Sequence, residues 1–346
     1  MKKNNPFTLT FGKPPVQLIN RYEDIDNIIT TFDTEYTVSN TYLIEGVRGS
    51  GKTVLMSSVA NELKKDDSWI VVDLNSTQDL LYSLAKRLEN AIKNIPGFLE
   101  KGFNVSLFGI GLGIGGDNQE KDNINVIEDM LSYIKKRNKK LLVTIDEVMH
   151  DDNMRVFASQ FQIFLREDYP IFVLMTGLYE NIYAIQNDPA LTFLLRSPKI
   201  KIEPLSISQI TRQYMDIFNL KLEDAKKLAV ITKGYAFAFQ ALGLLYWEHG
   251  DEMSFEDLLI RFDDMLDGYV YKKIWEGLSK QDKKIIMALE DNQSISSKEL
   301  RKKAGVKASS YSKYRDRLLN KGVITAPEHG VVELALPRFR SIVELY

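Results

Sequence analysis

The sequence predicts an α/β fold: a parallel sheet with helices on both faces, followed by a helical region and a small C-terminal domain. Three observations lead to this fold class. Short apolar runs typical of buried strands alternate with segments of helical spacing. A glycine-rich stretch separates the first of these strands from the helix that follows it. Near residue 278 the pattern changes to short helices and the local charge becomes positive.

The composition is that of a globular protein. The chain has 346 residues, 44% of them hydrophobic and 27% charged, enough for two or three domains. It contains no cysteine, so we expect no disulfides and a reducing, cytoplasmic location. The histidines are scattered and predict no zinc site. The start, "MKKNNPFTLTFG", has positive charge but no apolar run behind it, so we expect no signal peptide. No stretch approaches the roughly 18 apolar residues of a membrane helix, so we expect no membrane partner.

The glycine-rich stretch "YLIEGVRGSGKTVLMSSVA" fits the pattern G-x-x-x-x-G-K-S/T, in which backbone N–H groups and a helix N-terminus converge on phosphate oxygens. The flanking strand and helix favour this interpretation over a chance glycine turn. In the pattern, Lys52 reaches the β- and γ-phosphates of ATP and the Thr53 hydroxyl ligates Mg²⁺. The predicted nucleotide contacts are Gly46, Val47, Arg48, Gly49, Ser50, Gly51, Lys52, Thr53 and Val54.

A second motif, "KKLLVTIDEVMH", places two carboxylates at the end of a buried strand, 141–145. Ligands of open α/β sheets bind outside the carboxyl ends of the strands. We therefore assign Asp146 to Mg²⁺ through water and Glu147 to the water that attacks the nucleotide. The alternative is a strand that ends in two solvated acids.

Two further residues are candidates for catalysis. Thr176 ends the strand of "YPIFVLMTGLYENI", where its hydroxyl would bond the attacking water or the γ-phosphate; otherwise it only starts a turn. Arg196, in "LTFLLRSPKIKIEPL", would stabilise charge on a transferring phosphoryl group, unless it is a simple surface residue. Because Arg196 follows a helix that leads away from the loop, we expect it to complete the site of a neighbouring subunit in a homo-oligomer. With Lys52 and Glu147, these residues form the predicted catalytic set.

The remaining patterns complete the first domain, 1–204. A strand in "SWIVVDLNST" and a helix in "TQDLLYSLAKRLENAIKN" follow the loop. The segment 103–116 alternates apolar residues with glycine and predicts an inserted β-hairpin, and a helix is expected at about 121–137.

The C-terminal region, 278–346, is basic. Residues 279–346 contain 14 Lys or Arg and 8 Asp or Glu, a balance of +6, whereas the rest of the chain carries −8. Three helical segments, the second opened by a capping box of Ser296 and Glu299, precede two strands about a glycine turn. This order predicts a winged helix-turn-helix. On its third helix Tyr311, Tyr314 and Leu318 should face the core. The predicted contacts with double-stranded DNA are Ser310, Lys313 and Arg317, unless they form a solvated face or the domain binds protein instead.

With the loop, the "LLVTIDE" strand, the Thr176 strand and "RSPKIKIEPLS" in this order, the chain resembles AAA+-type P-loop ATPases of the archaeal ATPase, initiator and STAND groups. The resemblance implies a helical lid at 205–277 and places "FGKPPVQLINRYEDIDNII", with Pro15 and Arg21, near the adenine. It also marks a departure. Initiator-type members have an Arg in the lid and STAND members a Gly-x-Pro, whereas this sequence has Gly234, Tyr235 and Ala236. We therefore expect slow, switch-like turnover.

The sequence thus predicts a P-loop NTPase domain, a helical lid and a C-terminal winged helix that together form a slow ATPase with ATP and Mg²⁺ as cofactors. The favoured function is an ATP-dependent switch that associates with DNA. The alternative is a STAND-like signalling or defence ATPase whose winged helix binds a protein partner.

Overall fold

The structure, a computed structural model, describes residues 5–10, 19, 21–34, 38–93, 117–250 and 252–346, with side chains from residue 123 onward in the helix that begins at 117. It divides into two compact units. We call residues 21–45 and 52–201 the sheet unit, and residues 1–20, 46–51 and 202–346 the helical unit. The predicted hairpin at 103–116 and Pro15 lie outside the described residues.

The sheet unit is built on five parallel strands in the order β2-β3-β4-β1-β5. This confirms the parallel sheet that the alternating strand and helix patterns predicted. Strand β4 is buried along its whole length because a parallel sheet is covered on both faces. The strands are β1 (Thr41–Glu45), β2 (Trp69–Asn75), β3 (Lys140–Asp146), β4 (Ile171–Gly177) and β5 (Lys199–Lys201).

The helices of the sheet unit bury one apolar face each against this sheet. In α3, for example, Leu84 and Leu88 are fully buried, at the spacing of one helical turn. The helix predicted at 121–137 is found at Asp117–Lys135. The α-helices are α1 (Tyr22–Asp33), α2 (Lys52–Leu63), α3 (Leu80–Lys93), α4 (Asp117–Lys135), α5 (Asp152–Arg166) and α6 (Tyr179–Gln186), and a 3-10 helix covers Thr192–Arg196.

The strand register brings the carboxyl ends of neighbouring strands to one edge of the sheet. Thr176 of β4 is opposite Ile44 of β1, and Asp146 of β3 is opposite Asn75 of β2. The chain leaves β1 toward the glycine loop at this same edge. A parallel sheet therefore collects the polar residues that end its strands, although they are distant in sequence.

Residues 207–276 of the helical unit are built from helices. It contains α7 (Ile207–Phe218), α8 (Leu222–Ile231), α9 (Ala236–His249), α10 (Phe255–Leu266) and α11 (Lys272–Glu276), with a π-helical turn at Asp267–Tyr271. Gly234 precedes α9 with a positive φ of 74°, and its carbonyl accepts a hydrogen bond from the Leu205 N–H at 2.7 Å. Its backbone conformation is one that glycine adopts without strain.

The C-terminal part of the helical unit has short helices and a small antiparallel sheet in the order β6-β8-β7. Its elements are α12 (Lys280–Met287), β6 (Ile295–Ser296), α13 (Ser297–Lys303), α14 (Ala308–Asn320), β7 (Ile324–Thr325), β8 (Val331–Leu334) and α15 (Phe339–Val343). The Ser296 side chain caps α13 by accepting from the Glu299 N–H at 3.2 Å. On α14, Tyr311 and Leu318 are buried as predicted, whereas Tyr314 is half-buried.

Side chains tie this C-terminal part to the preceding helices within the helical unit. The Tyr271 hydroxyl donates to the Pro337 carbonyl at 2.6 Å, and Lys233 Nζ donates to the Leu334 carbonyl at 2.9 Å. Arg338 pairs with Asp263. One continuous apolar core runs through both parts, which is why they form a single compact unit.

Candidate active site

The carboxyl edge of the sheet holds a hydrogen-bonded cluster centred on Asp146. The Thr53 hydroxyl donates to Asp146 Oδ2 at 2.8 Å. The Thr176 hydroxyl donates to Oδ1, which also accepts from the Glu147 N–H at 3.1 Å. The structure thus brings together four residues that the sequence assigned to one site, and it fixes both oxygens of the Asp146 carboxylate.

Glu147 has an unusual backbone. Its φ of 51° lies in the left-handed region, which is uncommon for residues other than glycine. The Glu147 N–H also donates to Thr176 Oγ1 at 3.2 Å, and the next N–H, of Val148, donates to the Thr176 carbonyl at 2.8 Å. The Glu147 side chain is exposed. Strained backbone held by such bonds is typical of functional sites, where it aims a side chain.

Thr176 lies inside this cluster. Its side chain is fully buried, its O–H donates to Asp146, the last residue of β3, and its oxygen accepts from the Glu147 N–H. The contact of Thr176 with water or with a γ-phosphate stays a prediction.

The oxygens of this cluster suit Mg²⁺. Mg²⁺ prefers oxygen ligands and is usually held by one or two carboxylates, water and substrate phosphates. Thr53 Oγ1 and Asp146 Oδ2 supply adjacent oxygens of this kind. In the described part of the chain, no group of three or more His, Cys, Asp or Glu residues could hold a metal alone. A cation at Thr53 and Asp146 would complete its coordination with water or with phosphate oxygens.

Two residues of the glycine loop have a left-handed backbone. Gly49 and Gly51 have positive φ angles of 76° and 98°, and the Ser50 N–H donates to the Val47 carbonyl at 3.2 Å. The Ser50 hydroxyl is buried without a hydrogen-bond partner among the described residues. Lys52, the first residue of α2, is buried, and Val54 is half-buried in the same helix.

Two contacts to this loop were not predicted from the sequence. The Tyr235 hydroxyl donates to the Arg48 carbonyl, and the Phe237 N–H donates to the Gly49 carbonyl at 3.0 Å. In the sequence, the segment 234–236 stands out only as a departure from the family pattern. The available signal was a large polar aromatic residue directly after a glycine at the start of α9.

Other predicted residues lie apart from the Asp146 cluster. Arg21 immediately precedes α1, half-buried, with its Nη1 4.0 Å from the Asp24 carboxylate. Arg196 is exposed at the end of the 3-10 helix. Neither residue belongs to the hydrogen-bonded cluster around Asp146.

A buried carboxylate stabilises the segment after Glu147. Asp188 accepts from the Ala190 N–H at 2.9 Å, and it bonds His150 Nε2 at 2.7 Å and Arg155 Nε at 2.6 Å. These partners, in this order of effect, lower the pKa of Asp188 from its ordinary 3.8 to about 2. This network was not predicted from the sequence, because its hydrogen-bonded partners lie up to 38 residues apart.

The predicted DNA contacts on α14 differ in their surroundings. Lys313 is exposed and Ser310 half-buried. Arg317 instead bonds Asp282 through Nη2 at 2.6 Å and Nε at 3.2 Å. The assignment of Arg317 to a free DNA-facing surface is therefore corrected, because its guanidinium is paired inside the C-terminal part.

The comparisons with known proteins address the fold. Residues 268–343 match a family model described as Domain of unknown function (DUF8462). A search of curated proteins found no match. The fold is similar to the Aeropyrum pernix ORC2 protein in ADPNP–ADP complexes, with 15% identity, a TM-score of 0.60, and 97% of this chain and 96% of that chain covered. It is also similar to Cdc6p from Pyrobaculum aerophilum, with 13% identity, a TM-score of 0.52 and the same coverage.

These similarities concern the fold. The chain shares the α/β fold of these structures, with a parallel five-stranded sheet, as the sequence predicted. Within the described ranges, none of the helices combines the length and apolar character needed to cross a membrane.

Proposed function

We propose that this chain is an ATP-binding and ATP-hydrolysing switch of the AAA+ type that associates with DNA through its C-terminal part. The observation that carries the proposal is the cluster in which Thr53, Thr176 and the Glu147 N–H all bond the Asp146 carboxylate. The arrangement fixes the Asp146 carboxylate and orients that of Glu147. Hydrolysis of a phosphoanhydride requires such preorganised groups.

The glycine loop supplies the phosphate contacts in this proposal. Its N–H groups and the buried Lys52 bind the phosphates, and the unpartnered Ser50 hydroxyl adds a donor. Thr53 and Asp146 hold Mg²⁺, which neutralises charge on the phosphates when it is bound. The similar Aeropyrum pernix ORC2 structure is described as ADPNP–ADP complexes, which supports a nucleotide at this loop.

Glu147 acts as the general base in this proposal. Its carboxylate is exposed while its backbone is fixed by Asp146 and Thr176, so it can accept a proton from water at a defined position. Thr176 acts as a positioning residue. Nothing in this arrangement requires fast turnover, and a slow ATPase is consistent with a switch.

The C-terminal part, in which helices α12 to α14 precede the β7–β8 hairpin, is proposed to be a winged helix that binds double-stranded DNA. Its +6 charge balance supports this. Among its cations, Lys298, Lys302, Lys307 and Lys313 are exposed on α13, α14 and the turn that joins these helices. Lys313 and Ser310 remain the proposed contacts on α14.

One observation favours the second candidate, a STAND-like ATPase with a protein partner. Arg317, one of three predicted DNA contacts, is used inside the C-terminal part, which reduces the cationic surface of α14. A gel shift of the full chain with duplex DNA, with and without ATP, separates the candidates. We expect DNA binding that weakens steeply as the salt concentration rises. The Lys313→Ala protein should bind DNA more weakly than the wild type. No shift at low salt in either state would favour the protein-binding candidate.

Calorimetry of the full chain with ATP and Mg²⁺ tests the nucleotide site. Lys52→Ala should weaken binding about 10- to 100-fold, because a charge-assisted contact with phosphate is lost. Lys64→Ala is the matched control, since Lys64 is exposed just beyond the end of α2. Equal affinities of the Lys52→Ala protein and the wild type would overturn the proposed phosphate site.

A further inference from the structure

Three buried tyrosines of the helical unit each donate their hydroxyl to a backbone carbonyl. Tyr214 donates to Phe239 at 2.8 Å and Tyr271 to Pro337 at 2.6 Å. Tyr235 donates to Arg48, which lies in the glycine loop. All three side chains are at most 5% exposed. The three bonds are chemically alike, but among them only that of Tyr235 reaches the loop that we propose binds phosphate.

The preceding glycine places Tyr235 against the loop. The positive φ of Gly234 turns the chain into α9, and the Tyr235 N–H donates to the Thr232 carbonyl at 2.8 Å. A Cβ at position 234 would lie 2.3 Å from the Leu205 carbonyl oxygen. The close approach of these two backbone segments therefore fixes where the Tyr235 side chain begins.

Tyr235 packs closely against the glycine at the centre of the loop. A Cβ added at Gly49 would lie 2.3 Å from the Tyr235 hydroxyl oxygen and 3.1 Å from Phe237 Cβ. The Phe237 N–H bonds the Gly49 carbonyl at 3.0 Å. Two consecutive carbonyls of the loop, those of Arg48 and Gly49, are thus bonded by residues at the start of α9.

These two bonds also orient N–H groups. A peptide unit is planar and trans, so a fixed carbonyl sets its N–H in the opposite direction. The bond to the Arg48 carbonyl orients the Gly49 N–H. The bond to the Gly49 carbonyl orients the Ser50 N–H, which donates within the loop to the Val47 carbonyl at 3.2 Å. Oriented N–H groups are what a phosphate-binding loop requires.

The Tyr235 hydroxyl stays protonated, and so stays a hydrogen-bond donor, over the whole pH range in which the protein would work. Burial raises its pKa well above the ordinary value of 10.0, an effect that the nearby Arg48 charge opposes. The neutral O–H is the only form that can donate to a carbonyl, so deprotonation does not compete with this bond.

We propose that Tyr235 is a positioning residue of the nucleotide site: its hydroxyl holds the Arg48 carbonyl and thereby orients the Gly49 N–H toward phosphate. The inference rests on the proposed function and deepens it. In this inference Tyr235 contacts the backbone of the glycine loop and not the nucleotide itself.

The test compares Tyr235→Phe with Tyr214→Phe in the full chain. Each change removes one buried hydroxyl that donates to a carbonyl, so both should lower the thermal midpoint by similar amounts. Only Tyr235→Phe should weaken ATP binding in calorimetry, by about three- to tenfold. In steady-state hydrolysis it should raise KM by a similar factor while kcat changes less than twofold, because Glu147 and Asp146 are unaffected.

The possible results distinguish a failure of the role of Tyr235 from a failure of the proposed function. Wild-type binding of ATP together with unchanged affinity in Tyr235→Phe would overturn the role of Tyr235 alone. An equal loss of affinity in Tyr214→Phe would also overturn it, because the effect would then be one of general stability. A wild-type protein that binds no ATP would overturn the proposed function and this inference together.

Discussion

The Arg317 guanidinium and the Asp282 carboxylate form a two-nitrogen contact that joins α14 to α12, with Nη2 and Nε at 2.6 and 3.2 Å from Oδ1. Arg317 Nη2 also donates to the Ser279 hydroxyl at 2.8 Å. Asp282 is 1% exposed and also closes the capping box of α12 with Ser279. A buried carboxylate of this kind needs its cation, because an unpaired buried charge is strongly unfavourable.

Arg317→Ala should therefore lower the stability of the protein itself, independently of any binding partner. We expect a loss of about 2–3 kcal/mol in the free energy of unfolding, less than for a fully buried pair because Arg317 is partly exposed. Urea denaturation of the full chain measures this loss. Lys313→Ala, an exposed change on the same helix, should stay within about 0.5 kcal/mol of the wild type. A fully stable Arg317→Ala protein would show that the pair is not structural.

The Arg317 contact shows what a sequence pattern can and cannot determine. Helical spacing separated Tyr311 and Leu318 from the other residues of α14, and both are buried. Spacing within one helix cannot reveal that Asp282, 35 residues earlier, faces Arg317. Strands β1 to β4 were predictable because each is a local apolar run, and the glycine loop because its pattern is contiguous.

The same difference between local features and contacts of distant residues applies to the candidate site. Asp146 and Glu147 were predictable from one short segment, since the end of a strand is a local feature. The buried position of Thr176 depends on the register of β4 beside β3, and the contact of Tyr235 with Arg48 spans 187 residues. Such contacts depend on tertiary packing, which residue spacing does not encode.

Glu147→Gln should separate nucleotide binding from hydrolysis. The amide keeps the shape of the side chain but cannot accept a proton from water, so turnover should fall by about 10²-fold or more. ATP affinity in calorimetry should stay near the wild-type value, because the glycine loop is unchanged. Glu62→Gln, an exposed change in α2, is the control. Undiminished turnover in Glu147→Gln would remove this residue from the mechanism.

Thr176→Val tests the positioning role of a fully buried hydroxyl. Valine matches threonine in shape but leaves the Glu147 N–H without one acceptor and Asp146 Oδ1 without one donor. We expect about 1–2 kcal/mol of lost stability and about a tenfold loss of kcat. Thr176→Ser keeps the hydroxyl and should recover most of the rate. Stability and kcat are measured on the same preparations, and a Val variant with normal kcat would contradict the role.

Asp188 makes part of the stability dependent on pH. Its pKa is about 2 in the folded protein, below the ordinary 3.8, so its stabilising effect is complete above about pH 4 and is lost as the pH falls toward 2. Asp188→Asn should be less stable than the wild type at pH 6, and the difference should shrink as the pH approaches 2. Urea midpoints of both proteins across this range measure it. A difference that is constant with pH would show that the carboxylate charge is not the cause.

Arg196 provides the test of assembly. It is exposed on the 3-10 helix beside Leu195, whose side chain is also largely exposed, and it stands outside the cluster around Asp146. If it stabilises the transferring phosphoryl group in a neighbouring subunit, turnover per subunit should rise with protein concentration. Arg196→Ala should abolish that rise, since an arginine supplied in trans acts only in the assembled state. Arg166→Ala is the matched control, because Arg166 is an exposed arginine at the end of α5 in the same unit. Sedimentation across the same concentrations shows whether subunits associate. Full turnover by a protein that stays monomeric at every concentration would exclude a role for Arg196 between subunits.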